Sequence, residues 1–267
     1  MSDPLILSSQ TGSVRTLSLN RPQSLNSLNS VLLQALLDEL DRIASDATVR
    51  CVVLTGAGRA FCAGQDLADP LVAPDAASDA APKDLGVMIE RFYQPLVQRI
   101  RSMPTPVVAA VNGVAAGAGA NIALNCDIVI AARGASFIQA FSKIGLAPDT
   151  GGTWLLPRLV GRANALGLTL LGDKLSAEDA QRMGLIWRCV DDAALHDEAQ
   201  AMAQRLAAMP TQALVATRRA LDSAQLLSME AALSAETALQ RELGFAHDYN
   251  EGVAAFIAKR TPAFTDR

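Results

Sequence analysis

The spacing of apolar residues predicts strands and helices that follow one another along the chain. Residues 4–9 and 13–19 alternate polar and apolar side chains, which predicts a β-hairpin. Residues 29–46 carry apolar side chains at helical spacing and predict an amphipathic helix. Short apolar runs predict three buried strands, at Cys51–Thr55, Val107–Val111 and Ile128–Ala132. Because strands alternate with helices, we expect an α/β fold with a mainly parallel sheet.

The C-terminal part of the chain has a different pattern. From about residue 176 it is almost wholly helical, with helices predicted at 194–208, 211–222 and 228–246. The helices beyond about residue 190 carry apolar faces that either pack on their own core or lie at contacts between subunits. Their apolar residues are Leu195, Met202, Leu206, Leu214, Leu221, Leu226 and Leu227. We therefore divide the chain into a sheet-bearing core, residues 1–190, and a helical C-terminal region, residues 191–267.

One segment within the core follows neither period. Residues 68–84 hold three prolines together with many alanines and several aspartates. This composition is typical of a surface loop, and we expect the segment to be mobile.

Composition and charge exclude several classes of protein. Half of the 267 residues are hydrophobic, which provides for a large core, and the net charge is −4. An acidic balance argues against a strongly basic surface for nucleic acid. No apolar run reaches the ~18 residues of a membrane span, and the first residues lack the pattern of a secretory signal. We therefore expect a cytoplasmic protein that binds neither nucleic acid nor membrane.

The cysteines and histidines do not form a recognisable catalytic or metal-binding pattern. The four cysteines, at positions 51, 62, 126 and 189, include no CxxC pair, so we expect reduced thiols and no metal site. Both histidines, His196 and His247, fall in segments predicted as helix surface. A Ser-His-Asp triad is therefore not expected.

Two glycine-bearing turns follow two of the predicted strands. They span residues 58–66 and residues 112–121, and a helix is expected to start at Gly117 in the second. Small residues let a ligand approach backbone N–H groups closely, and a helix start leaves such groups free. Two such turns facing each other could hold an oxyanion, although small residues also serve tight packing of helix on sheet. The spacing of the glycines does not fit a dinucleotide fingerprint.

Four segments carry a more specific pattern than the periodicity. They are Asn20-Arg-Pro22 with Leu25-Asn26, then Ala60–Asp66, then Pro106–Gly113, then Gly151-Gly-Thr153. In this order they resemble the crotonase (enoyl-CoA hydratase/isomerase) superfamily over essentially the whole chain. The resemblance implies a crotonase-like spiral of ββα units, a C-terminal helical trimerisation region and an acyl-coenzyme A substrate. It also implies that the N–H groups of Gln65 and Ala118 bind the thioester oxygen.

The residues implied for proton transfer depart from the hydratases of this family. Hydratases use two glutamates, and the matching positions here are Asn121 and Phe141. Neither side chain exchanges a proton at neutral pH, so efficient hydration is not expected. Asp149 matches the position where isomerases of the family carry their acid/base. An aspartate before a helix is also a common N-cap, which is the alternative role for Asp149.

Further segments resemble a branch of isomerases within the family. These are Glu90–Pro95, Gln139–Leu146, Pro148–Arg158 and Phe256–Phe264. Members of that branch expand the epoxidised ring of phenylacetyl-CoA to an oxepin in phenylacetate catabolism, which implies this activity and contact with other enzymes of that catabolism. Isomerisation of straight-chain 3-enoyl-CoA esters is the first alternative. A catalytically inactive scaffold or RNA-binding protein is the second, and the acidic charge and Asp149 argue against it.

The resemblance also implies the substrate pocket, the coenzyme A site and the assembly. Phe137, Phe141 and Trp154, beside Asn121, would form an apolar wall, unless the aromatic rings serve ordinary core packing. The coenzyme A contacts implied are with Arg21, Ala63, Gly64, Asp66 and Lys259. Many hydratases carry lysine where Gln23 stands, so Arg21 and Lys259 are expected to bind the phosphates. Lys259 would reach a neighbouring subunit of a homotrimer or hexamer. No cofactor is expected, since coenzyme A is part of the substrate.

Overall fold

Two β-sheets organise the chain, which a computed structural model describes over residues 3–74 and 82–266. Within these residues the strands are Ile6–Thr11 (β1), Val14–Leu19 (β2), Cys51–Gly56 (β3), Ala60–Cys62 (β4), Val107–Val111 (β5), Val114–Ala116 (β6), Ile128–Ala132 (β7), Ser136–Ile138 (β8), Lys174–Ser176 (β9) and Arg188–Val190 (β10). The larger sheet has the order β1-β2-β3-β5-β7-β10, and the smaller has the order β4-β6-β8-β9. Only the pairs β1–β2 and β8–β9 are antiparallel among the described strands.

The helices follow the strands in a repeated order. They are Ser30–Ser45 (α1), Leu85–Met88 (α2), Gln94–Ser102 (α3), Ala118–Leu124 (α4), Gly152–Leu171 (α5), Ala177–Arg182 (α6), Leu195–Ala207 (α7), Thr211–Ala224 (α8), Met229–Gly244 (α9) and His247–Ile257 (α10). A strand of the larger sheet, a strand of the smaller sheet and then a helix recur as β3-β4-α2/α3, β5-β6-α4 and β7-β8-α5. This is the expected succession of ββα units.

The predicted hairpin, helix 29–46 and three buried strands are confirmed. Thr11 and Val14 pair across the hairpin turn, where Gly12 adopts a positive φ of 58°. Helix α1 begins after Asn29, whose side chain accepts a hydrogen bond from the Leu32 N–H at 2.9 Å. The four strands of the smaller sheet were not predicted. Each has three residues, too few for an alternating pattern to be distinguished from a turn.

Helix α7 belongs to the core. It packs against β2, β3, β5 and β7, and its Leu195, Ala199 and Ala203 lie within the main hydrophobic cluster. Of the two roles open to this helix, packing on the core of its own chain is therefore the one that the structure supports. Arg50, the residue before β3, donates a hydrogen bond to the carbonyl of Ala207 at 2.8 Å. This bond holds the C-terminal end of α7 against the sheet.

Apolar residues of the last three helices, and of the segments that join them, remain at the surface of the single chain. Leu226 is 74% exposed, Met229 77%, Phe245 84% and Phe256 86%. Leu170 and Leu171 of α5 are exposed as well, so the apolar surface that a monomer leaves uncovered is not confined to residues 191–267. No helix in residues 3–74 and 82–266 is long and apolar enough to cross a membrane.

The start of the segment 68–84 is packed rather than loose. Asp69 is 3% exposed, and its carboxylate accepts hydrogen bonds from the N–H groups of Ser30 at 2.7 Å and Leu71 at 2.8 Å. Leu71 and Val72 pack against the core. The expectation of a mobile loop is therefore wrong for residues 69–72. Residues 75–81 lie outside the described part of the chain.

Candidate active site

The two glycine turns meet, as the sequence predicts. Gly64, in the first turn, has a φ of 93°, a conformation that residues with a side chain rarely adopt. A Cβ atom at Gly64 would lie 2.8 Å from the carbonyl oxygen of Ala116 and 3.8 Å from the nitrogen of Ala118, both in the second turn. Only glycine therefore allows the two backbones to approach so closely.

Each turn presents one free backbone donor. The carbonyl of Gly64 accepts from the Leu28 N–H at 2.7 Å, and the trans peptide points the Gln65 N–H the opposite way. Ala118 is the first residue of α4, after the N-cap Gly117, so its N–H has no acceptor within the helix. No hydrogen bond from either N–H is present within residues 3–74 and 82–266. Two free donors on adjacent turns are what binding of an oxyanion requires.

Asp149 lies just before α5 but does not cap it. The N-cap is Gly151, with a φ of 79° and no side-chain hydrogen bond to the helix. The Asp149 carboxylate instead accepts a hydrogen bond from the Thr150 hydroxyl at 2.7 Å. Burial raises the pKa of the Asp149 carboxyl above its ordinary value, although the bond from Thr150 opposes the shift. A half-buried carboxylate with a raised pKa suits proton exchange better than helix capping.

A chain of buried amides holds the backbone of Asp149. The Asn121 side chain donates to the Asp149 carbonyl at 2.9 Å and accepts from the Gln139 side chain at 2.9 Å. Asn125 donates to the carbonyl of Thr150 at 3.0 Å, where Thr150 has a positive φ of 52°. Asn121 is on α4, so these bonds connect the Asp149 turn to the helix that begins with Ala118. Asn121 is fully buried, so the structure gives it a supporting position rather than a place on a pocket wall.

The three aromatic residues expected in the pocket occupy different surroundings. Phe141 lies beside the second turn, because a Cβ at Gly117 would be 3.8 Å from the tip of its ring. Phe137 is 2% exposed on β8 and belongs to the main hydrophobic cluster. Of the two, Phe141 has the position that a wall beside the oxyanion donors requires.

Trp154 packs against charged side chains of α3 and α5. Its ring packs between two arginines, with the guanidinium carbon of Arg158 4.2 Å and that of Arg101 4.8 Å from the ring centre. It lines a groove of about 560 Å³ together with residues of α8. This arrangement packs α5 against α3, so the pocket role expected for Trp154 gains no support from the structure.

The residues expected to bind coenzyme A are only partly brought together. Arg21 and Asp66 form an ion pair at 2.9 Å, so the carboxylate already neutralises the cation expected to meet a phosphate. Ala63 and Gly64 lie on the first turn beside Asp66. Lys259 is exposed, with a positive φ of 54°, two residues after α10 ends at Ile257. Its ammonium makes no ion pair within residues 3–74 and 82–266.

Tyr93 is a site residue that the sequence reasoning did not single out. Its side chain is 1% exposed, and its hydroxyl lies 2.6 Å from the carboxamide oxygen of Gln65. Tyr93, Leu96 and Ile100 share one buried face at helical spacing. A tyrosine on an apolar helical face needs a partner for its hydroxyl. That need is the signal in the sequence by which Tyr93 could have been found.

Cys62 lies beneath the second turn, where a Cβ at Gly119 would collide with it at 2.6 Å. Burial raises the pKa of the Cys62 thiol to about 12. The thiol therefore stays protonated at neutral pH and is not an available nucleophile.

Comparison with known proteins connects this geometry to a family. Residues 9–267 match the family model described as enoyl-CoA hydratase/isomerase. The chain is 54% identical over 262 residues to 1,2-epoxyphenylacetyl-CoA isomerase from Escherichia coli K12, covering 98% of each sequence. It is 36% identical over 254 residues to 2,3-dehydroadipyl-CoA hydratase from the same strain, covering 95% of the chain and 96% of that relative. The crystal structure of an enoyl-CoA hydratase from Bacillus anthracis superposes with a TM-score of 0.89 at 30% identity, covering 99% of this chain and 100% of that one.

Proposed function

The chain belongs to the enoyl-CoA hydratase/isomerase family, and we propose that it isomerises ring-1,2-epoxyphenylacetyl-CoA to its oxepin in phenylacetate catabolism. The observation that carries the proposal is the half-buried carboxylate of Asp149, with its raised pKa, on a turn that Asn121 holds against α4. The first N–H of α4 is one of the two free backbone donors. The high identity with an epoxyphenylacetyl-CoA isomerase supports the choice of substrate. The reaction takes place in the cytoplasm and needs no group besides the coenzyme A of its substrate.

The chemistry of this reaction matches one acid/base and one oxyanion site. The epoxide opens to the seven-membered ring by movement of electron pairs within the ring, with no atom gained or lost. Asp149 takes the proton from the carbon next to the thioester, and the Gln65 and Ala118 N–H groups hold the charge on the thioester oxygen. The same carboxyl returns the proton to a ring carbon, which places the double bonds in the oxepin. Phe141 limits the access of water to these atoms.

The residues at the two hydratase positions exclude efficient addition of water. Asn121 donates to a backbone carbonyl and Phe141 has no exchangeable proton, so neither of these two positions supplies a second acid/base. We expect hydration of crotonyl-CoA to be at least ~10²-fold slower than isomerisation, the usual scale of an acid/base contribution. Loss of the enoyl absorbance measures hydration. A hydration rate equal to the isomerisation rate would contradict the single-carboxylate mechanism.

Isomerisation of straight-chain 3-enoyl-CoA esters is the second candidate. It also needs only one carboxyl that removes a proton and returns it elsewhere, which Asp149 provides. The experiment that separates the two substrates starts from phenylacetyl-CoA and an epoxidase that forms the epoxide in situ. Chromatography with mass detection should show a new species of unchanged mass when the protein is added. Turnover of 3-enoyl-CoA esters without this species would assign the protein to the second substrate.

We further propose that the chain assembles as a homotrimer, or as a dimer of trimers, through α8–α10. The exposed apolar residues of these helices support the proposal, because so many large apolar side chains are rarely left in water. In the assembly, residues 1–190 and α7 form the catalytic core, and Lys259 binds coenzyme A of a neighbouring subunit. Light scattering at micromolar concentration should give the mass of a trimer or a hexamer. The mass of a monomer would contradict both the assembly and this role for Lys259.

A further inference from the structure

Tyr93 occupies a special position on its helix. It is the last residue of a π-helical segment, Ile89–Tyr93, that leads into α3. Such segments place an extra residue in one helical turn and frequently occur at functional sites. Here the segment brings the Tyr93 hydroxyl to 2.6 Å from the carboxamide oxygen of Gln65.

The direction of this hydrogen bond follows from the other end of the same carboxamide. The Gln65 amide nitrogen donates to the Asp66 carbonyl at 3.0 Å, so the amide oxygen is the atom that faces Tyr93. Since a carboxamide oxygen only accepts, the Tyr93 hydroxyl donates. Both ends of the Gln65 carboxamide are therefore held, the oxygen by Tyr93 and the nitrogen by the neighbouring peptide.

The main chain on either side of Gln65 is held as well. Leu28 donates to the Gly64 carbonyl at 2.7 Å and accepts from the Asp66 N–H at 2.9 Å. The N–H of Gln65 is left free on the side of the second turn. A released Gln65 carboxamide oxygen would be an acceptor within reach of that free donor, and would satisfy its hydrogen-bonding need there.

We propose that Tyr93 is a positioning residue, which keeps the Gln65 N–H open to the thioester oxygen by holding the Gln65 carboxamide away from it. The proposal rests on the oxyanion site of the proposed function. It gives Tyr93 no part in proton transfer. Burial raises the pKa of Tyr93 well above its ordinary value, and the nearby charge of Asp149 acts in the same direction, so the phenol stays neutral.

The test removes one hydroxyl and follows the polarisation of a bound thioester. Tyr93→Phe keeps the ring that fills the core, and Tyr249→Phe is the matched control, because Tyr249 is the second of two tyrosines and is 57% exposed. The probe is 4-dimethylaminocinnamoyl-CoA, whose absorption moves to longer wavelength when its carbonyl accepts strong hydrogen bonds. We expect this red shift with the parent and with Tyr249→Phe. With Tyr93→Phe the probe should still bind, but most of the red shift should be lost.

Turnover should change in the same way. The kcat of Tyr93→Phe should fall by about tenfold, the scale of one lost hydrogen bond that acts on the transition state, whereas KM should change little. In a chain that already carries Gln65→Met, no carboxamide oxygen is left to be held. There Tyr93→Phe should lower kcat by less than about twofold, because the two changes act through one contact.

The outcomes separate the role of Tyr93 from the function of the protein. A full red shift and an unchanged kcat in Tyr93→Phe would overturn the proposal, as would equal losses with and without Gln65→Met. If Tyr93→Phe does not fold, the red shift of the bound probe is compared between the parent and Gln65→Met. This comparison still decides whether the Gln65 carboxamide affects the oxyanion site. A parent without any red shift overturns both the oxyanion site and the role of Tyr93. A normal red shift without turnover of the epoxide would overturn only the proposed substrate.

Discussion

Asp149→Asn should fold, bind the acyl-coenzyme A and lose isomerisation by ~10² or more, the scale of an acid/base contribution. Asparagine keeps the shape of the side chain and accepts the hydrogen bond from Thr150, but it cannot carry a proton. Initial rates with the epoxide and with a 3-enoyl-CoA ester measure the loss. Asp248→Asn, at a buried carboxylate that binds the C-terminal segment through Thr265 and Asp266, is the control for a carboxylate outside the site. Near-parental turnover in Asp149→Asn would leave this carboxyl without a catalytic role.

The dependence on pH gives a second readout of the same residue. Asp149 must be ionised to take a proton, so kcat/KM should fall as the pH is lowered through its pKa. Burial raises that pKa, so the fall should begin above the pH at which an ordinary aspartate of pKa about 3.9 is protonated. The residual activity of Asp149→Asn should lack this acid limb.

The contribution of Asp149 to the stability of the folded chain should depend on pH in the opposite sense to kcat/KM. A carboxyl whose pKa is raised by folding stabilises the folded state at low pH, and this contribution is lost as the pH rises through the folded-state pKa. At neutral pH the parent therefore keeps a partly desolvated charge that asparagine does not have. The melting temperature of Asp149→Asn at neutral pH should be equal to that of the parent or higher. A marked decrease would show that the carboxylate stabilises the turn and is not adapted to catalysis.

Periodicity predicts those elements of this fold that are long enough to show a period. Helix α1 spans four turns with a capping asparagine, and strand β5 has five buried residues, so both were predicted nearly to the residue. The smaller sheet was missed because β4, β6 and β8 have three residues each and rely on pairing with segments far along the chain. Local sequence carries little information on such pairing, which tertiary contacts determine.

The sequence predicts the two candidate oxyanion donors, but not the side chains that support the site. Gly64 and Gly117 mark the turns, and the family pattern then identifies Gln65 and Ala118. The support of Asp149 by Asn121 depends on where an amide on one helix meets the carbonyl of a turn 28 residues later. The bond from Tyr93 to Gln65 likewise joins residues 28 apart in sequence. Such contacts become visible only once the elements are packed.

Ala118→Pro should remove one of the two oxyanion donors outright. Ala118 is the first residue of α4. Helices accept proline at this position, because the N–H there has no helical acceptor and the fixed φ of proline suits a helix. Gly117 precedes it with a ψ of −125°, outside the α region that a following proline disfavours. The substitution should therefore delete the donor without unfolding the helix. Loss of one such donor lowers kcat by about 10²–10³, and we expect a loss of that size.

Ala118→Gly is the control for packing at this position, because it removes the methyl group and keeps the N–H. It should retain kcat within about threefold, since the donor is kept and glycine in place of alanine lowers helix stability by only ~1 kcal/mol, although Ala118 is buried. Thermal unfolding and binding of 4-dimethylaminocinnamoyl-CoA show whether each variant is folded and takes up a thioester. A folded Ala118→Pro that binds the probe with the parental red shift would place the second donor elsewhere. An equal loss of kcat in Ala118→Gly would attribute the effect to packing of α4. A loss confined to the proline variant supports the Ala118 N–H as a donor to the thioester oxygen, because the N–H is the polar group in which the two variants differ.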